Sequence, residues 1–140
     1  MWIWLLLGLV LGIAFIALAR ALGERRILAV GLIVAAVIYV GFAAAAGAPW
    51  RWLGVEAMGV VLYGALALLG LRHSRGWLVL GWGFHPVWDV ALHITGAGQA
   101  FAPAWYAILC ISFDVVVALY IASQWRRSGS DKPKPLRGAT

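Results

Sequence analysis

His85, Asp89 and His93 recur at four-residue spacing inside Trp82-Gly-Phe-His-Pro-Val-Trp-Asp-Val-Ala-Leu-His93, a segment otherwise apolar enough to sit in lipid. In a helix that spacing keeps all three side chains on one face, with about 40° of drift per step. Tyr106, Cys110 and Asp114 repeat the pattern further along. An imidazole beside a carboxylate is equipment for moving protons, because the carboxylate orients the ring and fixes its tautomer. An ionisable side chain inside a membrane span costs about 2.5 to 3.5 kcal/mol on insertion scales. Glu56, His85, Asp89, His93 and Asp114 therefore each need a reason to be there. One reason is a functional pocket; the other is simple pairing that holds helices together at about 1 kcal/mol per contact.

The elements that carry these residues follow from composition. Of 140 residues, 64% are hydrophobic and 11% charged, and the mean hydropathy is +0.94, far from the soluble average of about 25% charged. The apolar residues form uncharged runs of the length that crosses a hydrocarbon core of about 30 Å as helix. The fold expected is all-α, a polytopic integral membrane bundle of five transmembrane helices. The spans run over about 2–21, 27–46, 53–71, 77–95 and 104–123, and residues 124–140 form a basic, disordered cytoplasmic tail. Gly23-Glu-Arg-Arg26 reads as a charged turn, and Ala48-Pro-Trp-Arg-Trp52 as an interfacial loop. Pro86 cannot bond the carbonyl of Trp82 and is expected to kink the fourth span.

Charge placement decides what the net +6 means. Ten of the eleven Lys and Arg residues fall between spans one and two, between three and four, or in the tail; only Arg51 falls opposite. That distribution is membrane orientation rather than nucleic-acid binding, with the N-terminus outside and the C-terminus cytoplasmic. The expected location is a cell membrane, crossed several times. The lone cysteine, Cys110, excludes an intrachain disulfide and any CxxC motif.

Counting along antiparallel spans sets the depth of each group. His85 and Asp114 lie near the midplane, Asp89 and Cys110 somewhat outward, and His93, Tyr106 and Glu56 about 10 Å out at 1.5 Å per residue. The expected result is a polar ladder in a bundle of spans three, four and five, opening outward. His85, Asp89, His93 and Asp114 are the candidate catalytic groups. Glu56, Trp82, Trp88, Tyr106 and Cys110 are the candidate substrate-binding groups, the tryptophans able to stabilise a carbocation by cation–π attraction. Cys110 can equally be a small core residue and Tyr106 an interfacial anchor.

No cofactor or metal is predicted. His85 and His93 are about 12 Å apart along the axis, too far to share one ion. His85 with Asp89, or Asp89 with His93, could chelate from one helix with Glu56 or Asp114 completing the shell. A haem wants axial histidines on facing helices, and here both are on one.

Leu71-Arg-His-Ser74, Gly81-Trp82, His85-x-x-Trp88-Asp89-x-x-x-His93, Gly96, Phe101, Pro103, Cys110 and Asp114 together resemble the C-terminal half of a group of small bacterial membrane proteins, the domain of unknown function family 6010. The resemblance covers roughly residues 70–120. Leu92 stands where that family often has a second histidine, and Phe113 where it often has a cysteine. The resemblance implies a polytopic fold and carries no catalytic role.

The leading functional expectation is a cofactor-independent acid/base enzyme, of isomerase or cyclase type, acting on a lipid or isoprenoid. A small transporter or proton path, and a non-catalytic subunit or assembly factor, are the alternatives. The partners expected are membrane lipids and an apolar small molecule, with no nucleic acid and room for a homo-oligomer.

Overall fold

A computed structural model describes residues 1–130, with side chains through residue 127. Five helices follow one another: α1 (Trp2–Leu22), α2 (Glu24–Ala45), α3 (Trp50–Arg72), α4 (Gly76–Asp89) and α5 (Ala104–Ser130). A π-helical turn, Val90–Ile94, continues α4, and a 3₁₀ turn spans Ala97–Ala100. No strand occurs among the described residues. Four helices, α1, α2, α3 and α5, are long and apolar enough to cross a membrane. The fourth span is the exception because it is divided: α4 alone has 14 residues and needs the π turn to reach bilayer length.

The large exposed side chains are apolar along every helix, among them Leu6, Val10, Val34, Met58, Val61, Phe84 and Leu119. The five ionisable groups of the spans are all buried. That inversion is what a hydrocarbon solvent selects, since a charge facing lipid has no partner. The chain is a membrane protein.

Several expected boundaries shift. Residues 24–26 belong to the first turn of α2 rather than to a turn, because Gly23 alone reverses the chain at φ +112°, a conformation cheap only for glycine. Trp50-Arg-Trp52 is helical, not loop, since Pro49 caps α3 and its fixed φ is already suited to a helix start. Residues 124–130, expected in the tail, are helical: α5 continues to Ser130, with Arg126 and Arg127 in its last turns, where the helix dipole favours cations. Residues 131–140 of that tail lie outside the described residues.

Around the bundle the order is α1, α5, α4, α3, α2, closing back on α1. The α1/α5 contact rests on two glycines one turn apart. A Cβ on Gly8 would run into the carbonyl oxygen of Leu109 and the hydroxyl of Ser112, and one on Gly12 into Val116. The backbones are thus close enough for the Ser112 hydroxyl to donate to the carbonyl of Leu5 at 2.7 Å. At the arginine-rich end, Arg75 pairs with Glu24 at 2.9 Å and Arg25 donates to the carbonyl of Gly70 at 2.7 Å. These contacts tie the α1–α2 turn to the α3–α4 turn. Above them lies an apolar core that includes Leu28, Leu32, Ala67, Leu78, Val117 and Ile121.

Gly8→Leu should lower the thermal midpoint of the detergent-solubilised protein by the equivalent of about 1–3 kcal/mol. Gly64→Leu, where nothing lies within 4 Å of the added Cβ, should leave it unchanged. Equal effects at the two positions would contradict this account of the α1/α5 contact.

Candidate functional site

The half of the bundle away from the arginines holds the polar groups. His85 and Asp89 come from successive turns of α4, and Asp114 from α5 opposite. His85 Nδ1 lies 2.9 Å from Asp114 Oδ2, a hydrogen bond between two side chains with essentially no exposure. Asp89 Oδ2 approaches the same nitrogen to 3.5 Å without bonding to it. One imidazole edge therefore faces two carboxylates.

The π turn decides where His93 goes. A wider turn holds more residues, so the stripe does not keep drifting as it would in a regular α-helix, and His93 stays buried inside the bundle. Its Nε2 lies 3.6 Å from Glu56 Oε1, beyond hydrogen-bond length. Its ring lies flat on Tyr39 of α2, with centroids 3.9 Å apart and planes within 5°. The predicted groups thus divide into a triad, His85, Asp89 and Asp114, and an upper pair, Glu56 and His93.

The predicted binding residues have separate roles. Trp82 is fully buried below the triad, and its Nε1 donates to the carbonyl of Leu28 at 3.1 Å. Phe15 and Phe113 pack around its ring at 5.8 and 5.7 Å. Trp88 packs against Gly59 and meets Tyr63 edge-on at 6.1 Å. Tyr106 sits edge-on to Tyr39 at 5.5 Å and to Phe42 at 5.2 Å, and Cys110 is buried beside it.

Two tyrosines belong to the site and were not among the candidates. Tyr39 bridges α2 to the cluster, which extends the pocket beyond the expected spans three, four and five. Tyr63 meets the His85 ring at 4.9 Å. Both carried a signal: Tyr39 has the only polar side-chain atom in residues 27–46, and Tyr63 is seven residues, two turns, from Glu56 on α3.

The expected outward opening is covered. Gly98 of the 3₁₀ turn sits directly over His93, where a Cβ would stand 2.6 Å from Nδ1. Phe101 meets the His93 ring edge-on at 5.8 Å and packs on Trp52 at 5.5 Å. An apolar cavity of about 280 Å³ lies instead on the side, between α1, α2 and α5. Phe15, Val34, Ile38 and Leu109 line its walls, and Tyr106, Cys110 and Asp114 reach it from the cluster. Asp114 is the one carboxylate that touches it.

The cluster is under-satisfied. Tyr39 Oη, Tyr63 Oη, Glu56 Oε1, His85 Nε2, both oxygens of Asp89, both nitrogens of His93 and Asp114 Oδ1 are buried without a hydrogen-bond partner among the described residues. Buried polar atoms are nearly always paired, and an unpaired one costs about 1–3 kcal/mol. So many in one place make this cluster the candidate site.

Diethylpyrocarbonate should modify one histidine per folded chain, His73, which is exposed, while His85 and His93 are fully buried. In Gly98→Ala the added methyl pushes the cover off and His93 should react too. Peptide mass spectrometry reads the result, and reaction of His93 at the rate of His73 in the unmodified sequence would refute the closed cover.

A family model described as Family of unknown function (DUF6010) matches residues 3–127, extending the resemblance seen over 70–120 to all five helices. No curated protein and no solved structure matches. With nearly the whole chain covered, site residues included, the protein belongs to this family of unknown function.

Proposed function

We propose that the protein is a membrane-embedded acid/base enzyme, of isomerase or cyclase type, acting on a lipid or isoprenoid. One observation carries the reading: a buried imidazole held by a carboxylate, His85 on Asp114 at 2.9 Å, adjoins an apolar cavity that the same carboxylate lines. With the Nδ1 proton donated to Asp114, His85 Nε2 keeps its lone pair, buried and unpartnered. That nitrogen is the proton acceptor and later the donor. The side cavity takes the hydrocarbon part of the substrate from the bilayer, so no water-filled route is needed.

Below the triad the interior passes to Trp82, Leu78, Leu32 and Val117, and the hydroxyl of Tyr120 is buried on that side; so apolar a stretch favours the enzyme reading over a proton path. The setting we propose is a bacterial inner membrane, as the resemblance implies, with the arginine-rich end in the cytoplasm: of the eight described arginines, seven lie there and only Arg51 at the other end.

In an assay of the purified protein with a bacterial lipid extract, His85→Ala and Asp114→Asn should each lower product formation by roughly 10²- to 10⁴-fold. Ile38→Trp, which narrows the cavity away from the polar groups, should raise KM several-fold and leave kcat near its original value. Full turnover by both His85→Ala and Asp114→Asn would rule the mechanism out.

A further inference from the structure

We propose that His85, Asp89 and Asp114 form a binding site for one divalent first-row transition-metal ion. One ligand atom from each residue lies within 4.8 Å of the others, and the two distances from His85 Nδ1 are 2.9 and 3.5 Å. Bonds of about 2.1 Å to a metal place neighbouring ligand atoms about 3.0 Å apart in an octahedron and about 3.4 Å apart in a tetrahedron. Both distances from His85 Nδ1 are already at the spacing of a coordination shell.

Charge and satisfaction point the same way. Two carboxylates share one imidazole in an apolar bundle, and both oxygens of Asp89 are buried with no partner among the described residues. A divalent cation with two carboxylates and a neutral imidazole sums to zero, which removes the main cost of burying the acids. It also gives Asp89 Oδ2 a partner at bonding distance, which it lacks among the described residues. The hydroxyl of Tyr39 lies close to Asp89 and is itself unpartnered, suited to hold the carboxylate from outside the shell.

The donor set selects the ion. One nitrogen and two carboxylate oxygens suit zinc, manganese or ferrous iron. Calcium wants six to eight oxygens, and magnesium keeps several waters. Three protein ligands leave positions free, as an open site requires. Metal and proton compete for His85 Nδ1, so on loading the ring's proton moves from Nδ1 to Nε2 and the imidazole stays neutral. The inference therefore stands apart from the acid/base reading: metal content can be measured on protein that turns nothing over.

The test uses full-length protein purified in detergent, with metals counted by plasma mass spectrometry before and after dialysis against Zn²⁺, Mn²⁺ or Fe²⁺. The expected result is about one equivalent of one of these ions per chain. Asp89→Asn and Asp114→Asn should lose it at least tenfold, and Glu56→Gln, outside the triad, should keep it. Should either Asn variant fail to fold, the thermal midpoint of the unmodified protein still decides, since the bound ion should raise it and a chelator reverse the rise. Background metal in the unmodified protein with no thermal shift from any of the three ions would overturn the proposal, as would full retention in both Asn variants.

Discussion

The structure turns on the contact between His85 and the carboxylates of Asp114 and Asp89 in the middle of a bundle whose outside faces hydrocarbon. In water such a pair is worth little. Out of water each charge carries a penalty of several kcal/mol, which the pair offsets only when its geometry is good and its remaining lone pairs are met. Here the geometry of one contact is good, at 2.9 Å, and the remaining atoms are unmet. A purely structural pair would be completed within the protein. The incompleteness is the observation on which the proposed acid/base and metal readings rest.

The rest of the bundle can be understood as support for that unstable centre. On the arginine side a closed apolar core and the Arg75–Glu24 and Arg25–Gly70 ties hold the helices in register. On the other side the π turn, the Tyr39–His93 stack and the Gly98 cover seal the polar half. One of the cavities between the helices, bounded by α1, α2 and α5, reaches Asp114. The apolar ties thus gather at one end of the bundle, and the buried polar groups at the other.

Much of this was legible in the chain. Long uncharged runs fix helices by the width of the bilayer, and the i, i+4, i+8 spacings on two antiparallel spans correctly brought His85 to Asp114 and Glu56 to the level of His93. Three things were not legible. The π turn is closed by the N–H and hydroxyl of Thr95, both donating to the carbonyl of Val90 at 2.9 Å, and no residue pattern in Val90–Ile94 announces it. The cover over His93 comes from Gly98 and Phe101 folding back from a loop whose composition is bland. Tyr39 was overlooked because a single tyrosine in an apolar helix is usually an anchor at the interface, and only the docking of α2 beside α4 shows that it faces inward.

The central claim is that the polar triad is retained for what it does, at a cost to the fold. The most direct measurement is the thermal midpoint of the triple variant His85→Leu, Asp89→Val, Asp114→Val in metal-free detergent solution, compared with the unaltered protein under the same conditions. Replacing a buried ionic cluster by apolar side chains of similar size is often neutral or stabilising, so the account predicts a midpoint equal to or above that of the unaltered protein. A fall of roughly 10 °C or more, corresponding to several kcal/mol in a chain of this size, would contradict it and make the triad a structural tie.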